Sequence, residues 1–225
     1  MGTLYLVRHG QASFGAEDYD QLSELGARQC LRLGEYFRSR GRRFDAVLTG
    51  TLRRQVQSYD AIADGLQAGA GAPEPLRWPG LNEYDSHAII GAIHPAPLAK
   101  PDTREAYRHH FRLLRDGLTR WMAGEIAPAG LPSYAEFVAG VNGALDLVRQ
   151  QYEGDVLIVS SGGPISTAVG QVLGTSPETT IELNLRIRNS SITEFAFTPK
   201  RHMLVGYNAL PHLDDAAYAD WVTFA

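Results

Sequence analysis

Arg8-His9-Gly10 places a permanent cation, an imidazole and a glycine in consecutive positions. A guanidinium holds two phosphate oxygens through its planar fork. A neutral imidazole carries a nitrogen lone pair that can attack phosphorus or ligate a metal. Glycine lets the main chain approach a ligand closely. Arg53-Arg54 forms a second cationic pair at the expected start of a helix, where open backbone N–H groups and the helix dipole favour an anion. Adjacent arginines at a helix start usually include one solvated side chain, so Arg54 is assigned to the site and Arg53 to solvent. Ser160-Ser161-Gly162-Gly163 supplies hydroxyls and accessible backbone at a third place. An arginine and a histidine at a loop edge can equally be inert, so phosphate chemistry requires the three clusters to meet.

They meet only if the elements that carry them end side by side. Thr3 to Val7, Ala46 to Thr49 and Val156 to Val159 are short apolar runs with little alternation, the pattern of strands buried on both faces of a parallel sheet. Each runs into one cluster, the middle one through Gly50-Thr51-Leu52, and a helical pattern follows each. The first helix is predicted from Ser23 as N-cap, carries Leu25, Leu33, Tyr36 and Phe37, and stops at Gly41. The second covers about Leu52 to Leu66, and the third follows Pro164 and ends near Gly174. This repeat predicts an α/β fold of three layers, a mostly parallel central sheet flanked by helices. Ligands of open α/β sheets sit beyond the carboxyl ends of strands, which is where the clusters are expected to converge.

The chain is read as one domain over residues 1–225, with a helical insertion over the site at about 83–132. Gly69-Ala70-Gly71-Ala72-Pro73 and Pro95, Pro97 and Pro101 mark loops. Between and beyond them, Thr103 to Met122 reads as a long helix with Tyr107, Phe111, Leu114, Leu118 and Trp121 at helical spacing. Ser133-Tyr134-Ala135-Glu136 is a capping box that opens another. Glu182 to Tyr207 is expected to give two or three strands, including an antiparallel edge.

Composition excludes several other classes. With 44% hydrophobic and 20% charged residues the chain is of ordinary globular make-up. A net charge of −4 argues against the broad basic face of a nucleic-acid protein. No apolar run approaches a membrane span, and neither GxxxxGK[ST] nor GxGxxG occurs. Cys30 is the one cysteine and reads as a small buried hydrophobe, which fits a reducing compartment, and with no signal peptide legible the cytoplasm is the expected location. No metal or cofactor is expected, since neither HExxH nor a Cys/His cluster appears, and His109 and His110, adjacent on a helix, point about 100° apart. His87 and His94 fall in the insertion and are expected at the surface. The stripe Arg104, Arg108, Arg112 and Arg115 reads as a solvated face. The expected partner is a small phosphorylated metabolite, with no nucleic acid and no membrane, and a homodimer is left open.

In their order these motifs resemble one family. Leu6-Val7-Arg8-His9-Gly10-Gln11 is similar to the signature of the histidine phosphatase superfamily, the phosphoglycerate mutase-like proteins. Leu22-Ser23-Glu24-Leu25-Gly26 resembles the next motif of that family, and Thr49 to Arg54 with Gln57-Ser58 its second arginine motif. Asn82-Glu83 resembles the segment of its proton donor, Val156 to Pro164 the strand and turn of its second histidine, and Asn208 with His212-Leu213 its ending. The resemblance covers nearly the whole chain and is weakest from about 87 to 132. It implies metal-independent phosphomonoester hydrolysis in which His9 is phosphorylated, Arg8 and Arg54 bind the phosphoryl group, and Glu83 protonates the leaving oxygen. Gln11, Ser161 and Gly162 would be further phosphate contacts. Burial can keep such a carboxyl protonated, as a general acid requires.

The chain departs from the family pattern twice. Ser161 stands where the family has the histidine of Ser-His-Gly-Gly, keeping a hydrogen bond without a charge, and Gly15 stands where many members have Asn. Histidine at 161 is therefore expected to raise turnover, provided that Gly162 and Gly163 leave room for the ring. Two alternatives remain open: a phospho-ligand binding protein with little turnover, and a mutase-like phosphotransferase.

Overall fold

A computed structural model describes residues 1–13, 20–69, 73–96 and 103–224. The expectations for Gly15, Ala70, Gly71, Ala72, Pro97 and Pro101 lie outside the described residues.

A six-stranded sheet has the order β3-β2-β4-β1-β5-β6. The strands are β1 (Gly2–Arg8), β2 (Ala46–Thr49), β3 (Leu76–Arg77), β4 (Asp155–Ser160), β5 (Ile192–Thr198) and β6 (Arg201–Ala209). β3, β2, β4 and β1 are parallel neighbours, and β5 and β6 run antiparallel at the other edge. Successive side chains leave opposite faces of a strand. Leu4, Leu6, Leu48, Val156 and Ile158 accordingly enter one core, and Tyr5, Val7, Val47, Leu157 and Val159 the other. Helices cover both faces, which is why these strands are continuously apolar. Register aligns Arg8 with Ser160 and Thr49 with Val159, so the three polar clusters leave the sheet at one edge.

On one face lie α1 (Glu24–Ser39) and α2 (Arg53–Leu66), contributing Leu33, Phe37, Tyr59 and Ile62. Ser23 Oγ accepts the Gly26 N–H at 3.0 Å to open α1, and Gly41, at φ +64°, lies just beyond its end. Gly34 and Gly65 let the two helices touch backbone to backbone: a Cβ on Gly34 would stand 2.1 Å from the Ile62 carbonyl oxygen. On the other face lie α4 (Arg104–Met122), α5 (Tyr134–Gln151) and α6 (Gly162–Leu173), with α3 (Ser86–Gly91) and α7 (Pro177–Arg186) packed beside them. The Ser133–Glu136 capping box opens α5 as expected.

Three expectations are corrected. α6 starts at Gly162, ahead of Pro164, because a proline within the first turn gives up no intrahelical hydrogen bond. Glu182 to Arg186 is helix, not strand: Ser176 caps α7 and Pro177 is its first residue. In α4, Leu114, Leu118 and Trp121 are buried, but Tyr107 and Phe111 are 38% and 40% exposed, because the side of the helix that enters the core begins at Leu114.

His212 gives the fold a pH limit. Its ring is 2% exposed, Nε2 lies 2.9 Å from Ser190 Oγ, and Nδ1 has no partner. Burial, with Arg32 adding repulsion, lowers its pKa to about 3. The unfolded chain takes up that proton near pH 6.5, whereas the folded one does not. The contribution is therefore intact above about pH 6.5 and is lost towards pH 3, at up to about 1.4 kcal/mol per pH unit. His212→Gln is expected to flatten the fall in Tm on acidification below pH 6.5. Parallel Tm–pH curves for the two proteins would remove His212 from this role.

Candidate active site

Beyond β1 the chain turns through His9 and Gly10 against the first turn of α1. A Cβ on Gly10 would stand 2.4 Å from the Gly26 carbonyl oxygen, so this approach requires glycine. The turn is fixed by its backbone: the His9 N–H donates to the Ser160 carbonyl at 2.8 Å, and the Gly10 N–H to Ser58 Oγ at 3.0 Å. His9 is left 3% exposed, with Nδ1 2.7 Å from the Gly10 carbonyl oxygen and Nε2 3.3 Å from Arg54 Nε. A carbonyl only accepts and a guanidinium N–H only donates. The proton therefore sits on Nδ1 and Nε2 keeps its lone pair. Burial first, then the charges of Arg8 and Arg54, hold this imidazole well below its ordinary pKa, against the opposing effect of the Gly10 bond. His9 is thus neutral at physiological pH.

Arg54, which the sequence assigned to the site, is buried, and Arg53 is exposed. Arg54 Nη1 donates to Asp20 Oδ1 at 2.7 Å, and Asp20 also accepts the backbone N–H of Arg53 at 2.9 Å. The start of α2, expected to be open to an external anion, is therefore occupied by a carboxylate of the chain itself. Asp20 escaped the sequence reading; an acid two residues ahead of Leu22-Ser23 was its only signal. Arg8 Nη1 donates to the carbonyls of Ile187 and Phe224, each at 2.6 Å, while its charge bears on both His9 and Glu83. Gln11 receives the Ser23 hydroxyl on its amide oxygen at 2.8 Å, which draws it towards α1.

Glu83 arrives from the far side. Asn82 fastens its segment to the turn after β2, accepting the Thr51 N–H on Oδ1 and donating from Nδ2 to Thr51 Oγ1, both at 2.7 Å. The Glu83 carboxylate then accepts the Gly163 N–H at the start of α6, at 3.0 and 3.2 Å to its two oxygens. A Cβ on Gly163 would stand 2.1 Å from Glu83 Oε1, so glycine is needed for this contact. Desolvation raises the Glu83 pKa over the opposing pull of the Gly163 bond, Arg54 and Arg8.

Ser161 is fully buried between these groups, and its Oγ accepts from Gln55 Nε2 at 2.9 Å. A Cβ on Gly162 would meet Asn184 Oδ1 at 2.6 Å, and the space beside Gly163 belongs to Glu83 and Tyr84. A histidine ring at 161 would have to displace the Gln55 amide that meets the serine hydroxyl. Gln55 is a second residue that the sequence did not single out.

The remaining candidates lie elsewhere. His109 and His110 divide as their angular separation requires, towards His94 and His87, with ring centroids 6.3 and 6.5 Å apart. Among the described residues no group of three or more His, Cys, Asp or Glu could hold a metal ion, and no helix is long and apolar enough to cross a membrane. Burial pushes the Cys30 thiol up to about 11, which makes it an inert core residue.

The model of the histidine phosphatase superfamily (branch 1) matches residues 4–210 of this chain. A 2,3-bisphosphoglycerate-dependent phosphoglycerate mutase of Methylorubrum extorquens (strain PA1) is 32% identical over 110 residues, 46% of this chain and 48% of that protein. The chain thus spans about half the length of the curated relatives it matches. Among solved structures, phosphoserine phosphatase from Entamoeba histolytica has a TM-score of 0.65 at 22% identity, covering 95% of this chain and 100% of that one. A mycobacterial glucosyl-3-phosphoglycerate phosphatase has a TM-score of 0.62 at 21% identity, covering 93% and 99%. At these identities the structural likeness shows the fold.

Proposed function

This chain belongs to the histidine phosphatase superfamily (branch 1), and we propose that it hydrolyses small phosphate monoesters, without a metal ion, through a phosphohistidine on His9. The observation that carries this reading is a buried, neutral imidazole whose unprotonated Nε2 faces the buried guanidinium of Arg54. Nε2 attacks phosphorus, the ester P–O bond breaks, and Glu83 gives its proton to the departing oxygen. Water then attacks the phosphohistidine, the P–N bond breaks, and the Glu83 carboxylate takes the proton that water loses. Phosphate leaves, and both side chains return to their starting states. Charge stays on the equatorial oxygens throughout, which is the work of Arg8 and Arg54. The expected location is the cytoplasm and the expected partner a small phosphorylated metabolite. A mutase-like transfer is the second reading, favoured by the phosphoglycerate mutase relative.

Purified protein in EDTA is expected to turn over p-nitrophenyl phosphate and members of a panel of phosphorylated metabolites. Binding of phosphate or vanadate without any turnover would reduce the chain to a phospho-ligand binding protein. Transfer of the phosphoryl group to a second hydroxy acid in preference to water would favour the mutase. Arg8→Ala and Arg54→Ala should each weaken vanadate binding roughly 10- to 150-fold, the equivalent of a charge-assisted hydrogen bond worth about 1.5–3 kcal/mol. Unchanged affinity in both variants would move the site elsewhere.

A further inference from the structure

We propose that Gln55 is a positioning residue that turns the Ser161 hydroxyl into a hydrogen-bond donor for the transferring phosphoryl group. This rests on the reading of His9 as nucleophile. Ser161 follows Ser160, His9 follows Arg8, and Arg8 and Ser160 are register partners on adjacent parallel strands. The two residues therefore leave neighbouring strand ends, about 5 Å apart. Ser161 stands at the N-cap of α6, yet its side chain makes no capping bond. It accepts from Gln55 Nε2 instead, at 2.9 Å.

The direction of that bond is forced. Gln55 is fully buried, its Oε1 accepts the Leu52 N–H at 3.3 Å, and its Nε2 donates also to the Leu81 carbonyl at 2.9 Å. Only the NH₂ end of the amide can then face Ser161, so the serine accepts and keeps its own hydrogen for another partner. Among the described residues no acceptor takes that hydrogen. A buried donor with nothing to meet is costly, which points to an acceptor that arrives with the ligand. A phosphoryl oxygen on His9 Nε2 is such an acceptor. Leu81 directly precedes Asn82-Glu83, so the same amide ties together α2, which carries Arg54, the segment of the acid, and the serine.

The test is a double-mutant cycle on the whole chain. It uses p-nitrophenyl phosphate for kcat and KM, vanadate for affinity, and circular dichroism to confirm folding. Ser161→Ala should lower kcat about tenfold to a hundredfold, with KM little changed. Gln55→Ala should do the same, and adding it to Ser161→Ala should cost no more than about threefold further, because the two residues act as one unit. Ser161→His should lower kcat, because the ring must displace the Gln55 amide, and Ser161→His with Gln55→Ala should recover at least about tenfold of that loss. Multiplicative effects of Gln55→Ala and Ser161→Ala would overturn the proposal, as would equal activity of Ser161→His with and without Gln55→Ala. If the native protein turns over no monoester, the phosphatase reading fails, and the same cycle read in vanadate affinity decides the positioning role: coupled losses sustain it and additive losses sink it.

Discussion

Replacing His9 by alanine is expected to lower turnover of p-nitrophenyl phosphate by about four to six powers of ten. The size of the effect follows from the environment of the ring. Its Nδ1 hydrogen is committed to the Gly10 carbonyl, its Nε2 has no proton to lose, and burial with two nearby guanidiniums keeps it uncharged. No other described side chain joined to Arg54 offers a neutral nitrogen lone pair. The fold should survive, because the bonds that fix this turn come from the backbone of His9 and Gly10 and not from the ring. Two measurements check it: kcat of His9→Ala, and acid-labile, alkali-stable label retained on the native chain quenched during turnover of ³²P-labelled ester. Activity within tenfold of native, or label retained on His9→Ala, would remove the nucleophile from this position.

Glu83→Gln should separate substrates by their leaving groups. An alkoxide leaving group needs a proton in the transition state and p-nitrophenolate hardly does, so alkyl phosphates should lose about 10²–10⁴ in kcat/KM, which reports ester cleavage and not the later attack of water, and p-nitrophenyl phosphate far less. The structure gives Glu83 the property an acid needs, since desolvation raises its pKa despite the Gly163 N–H and both arginines. The sign for pH follows directly. The protonated form is the competent one for ester cleavage, so kcat/KM on alkyl phosphates should fall as pH rises through that raised value. Glu83→Gln should abolish this limb while keeping the Gly163 contact through its amide oxygen. Equal losses on both substrates, or a limb that persists, would take the acid role from Glu83.

The sequence alone determined the sheet and most of its cover. Runs such as Val156 to Val159 carry no alternation because both faces of the strand are buried, and caps such as Ser23 and Ser133 announce helices through chemistry local to three or four residues. It also determined where Arg8, His9 and Arg54 must emerge, because parallel strands of one sheet end together. Local signals misled where two kinds of element compete for the same apolar residues, as at Glu182 to Arg186 in α7.

Only the tertiary structure decided what each polar group meets at that edge. Asp20 fills the start of α2 across 34 positions of chain, and Gln55 reaches Ser161 across 106. Phe224 offers its carbonyl to Arg8 across 216, and Gly163 presents its N–H to Glu83 across 80. None of these pairs has a periodicity or a spacing to betray it. A hydrogen bond depends on distances of about 3 Å and on the direction of donor and acceptor, and both are set by how helices and turns from distant parts of the chain pack once the sheet has brought them together.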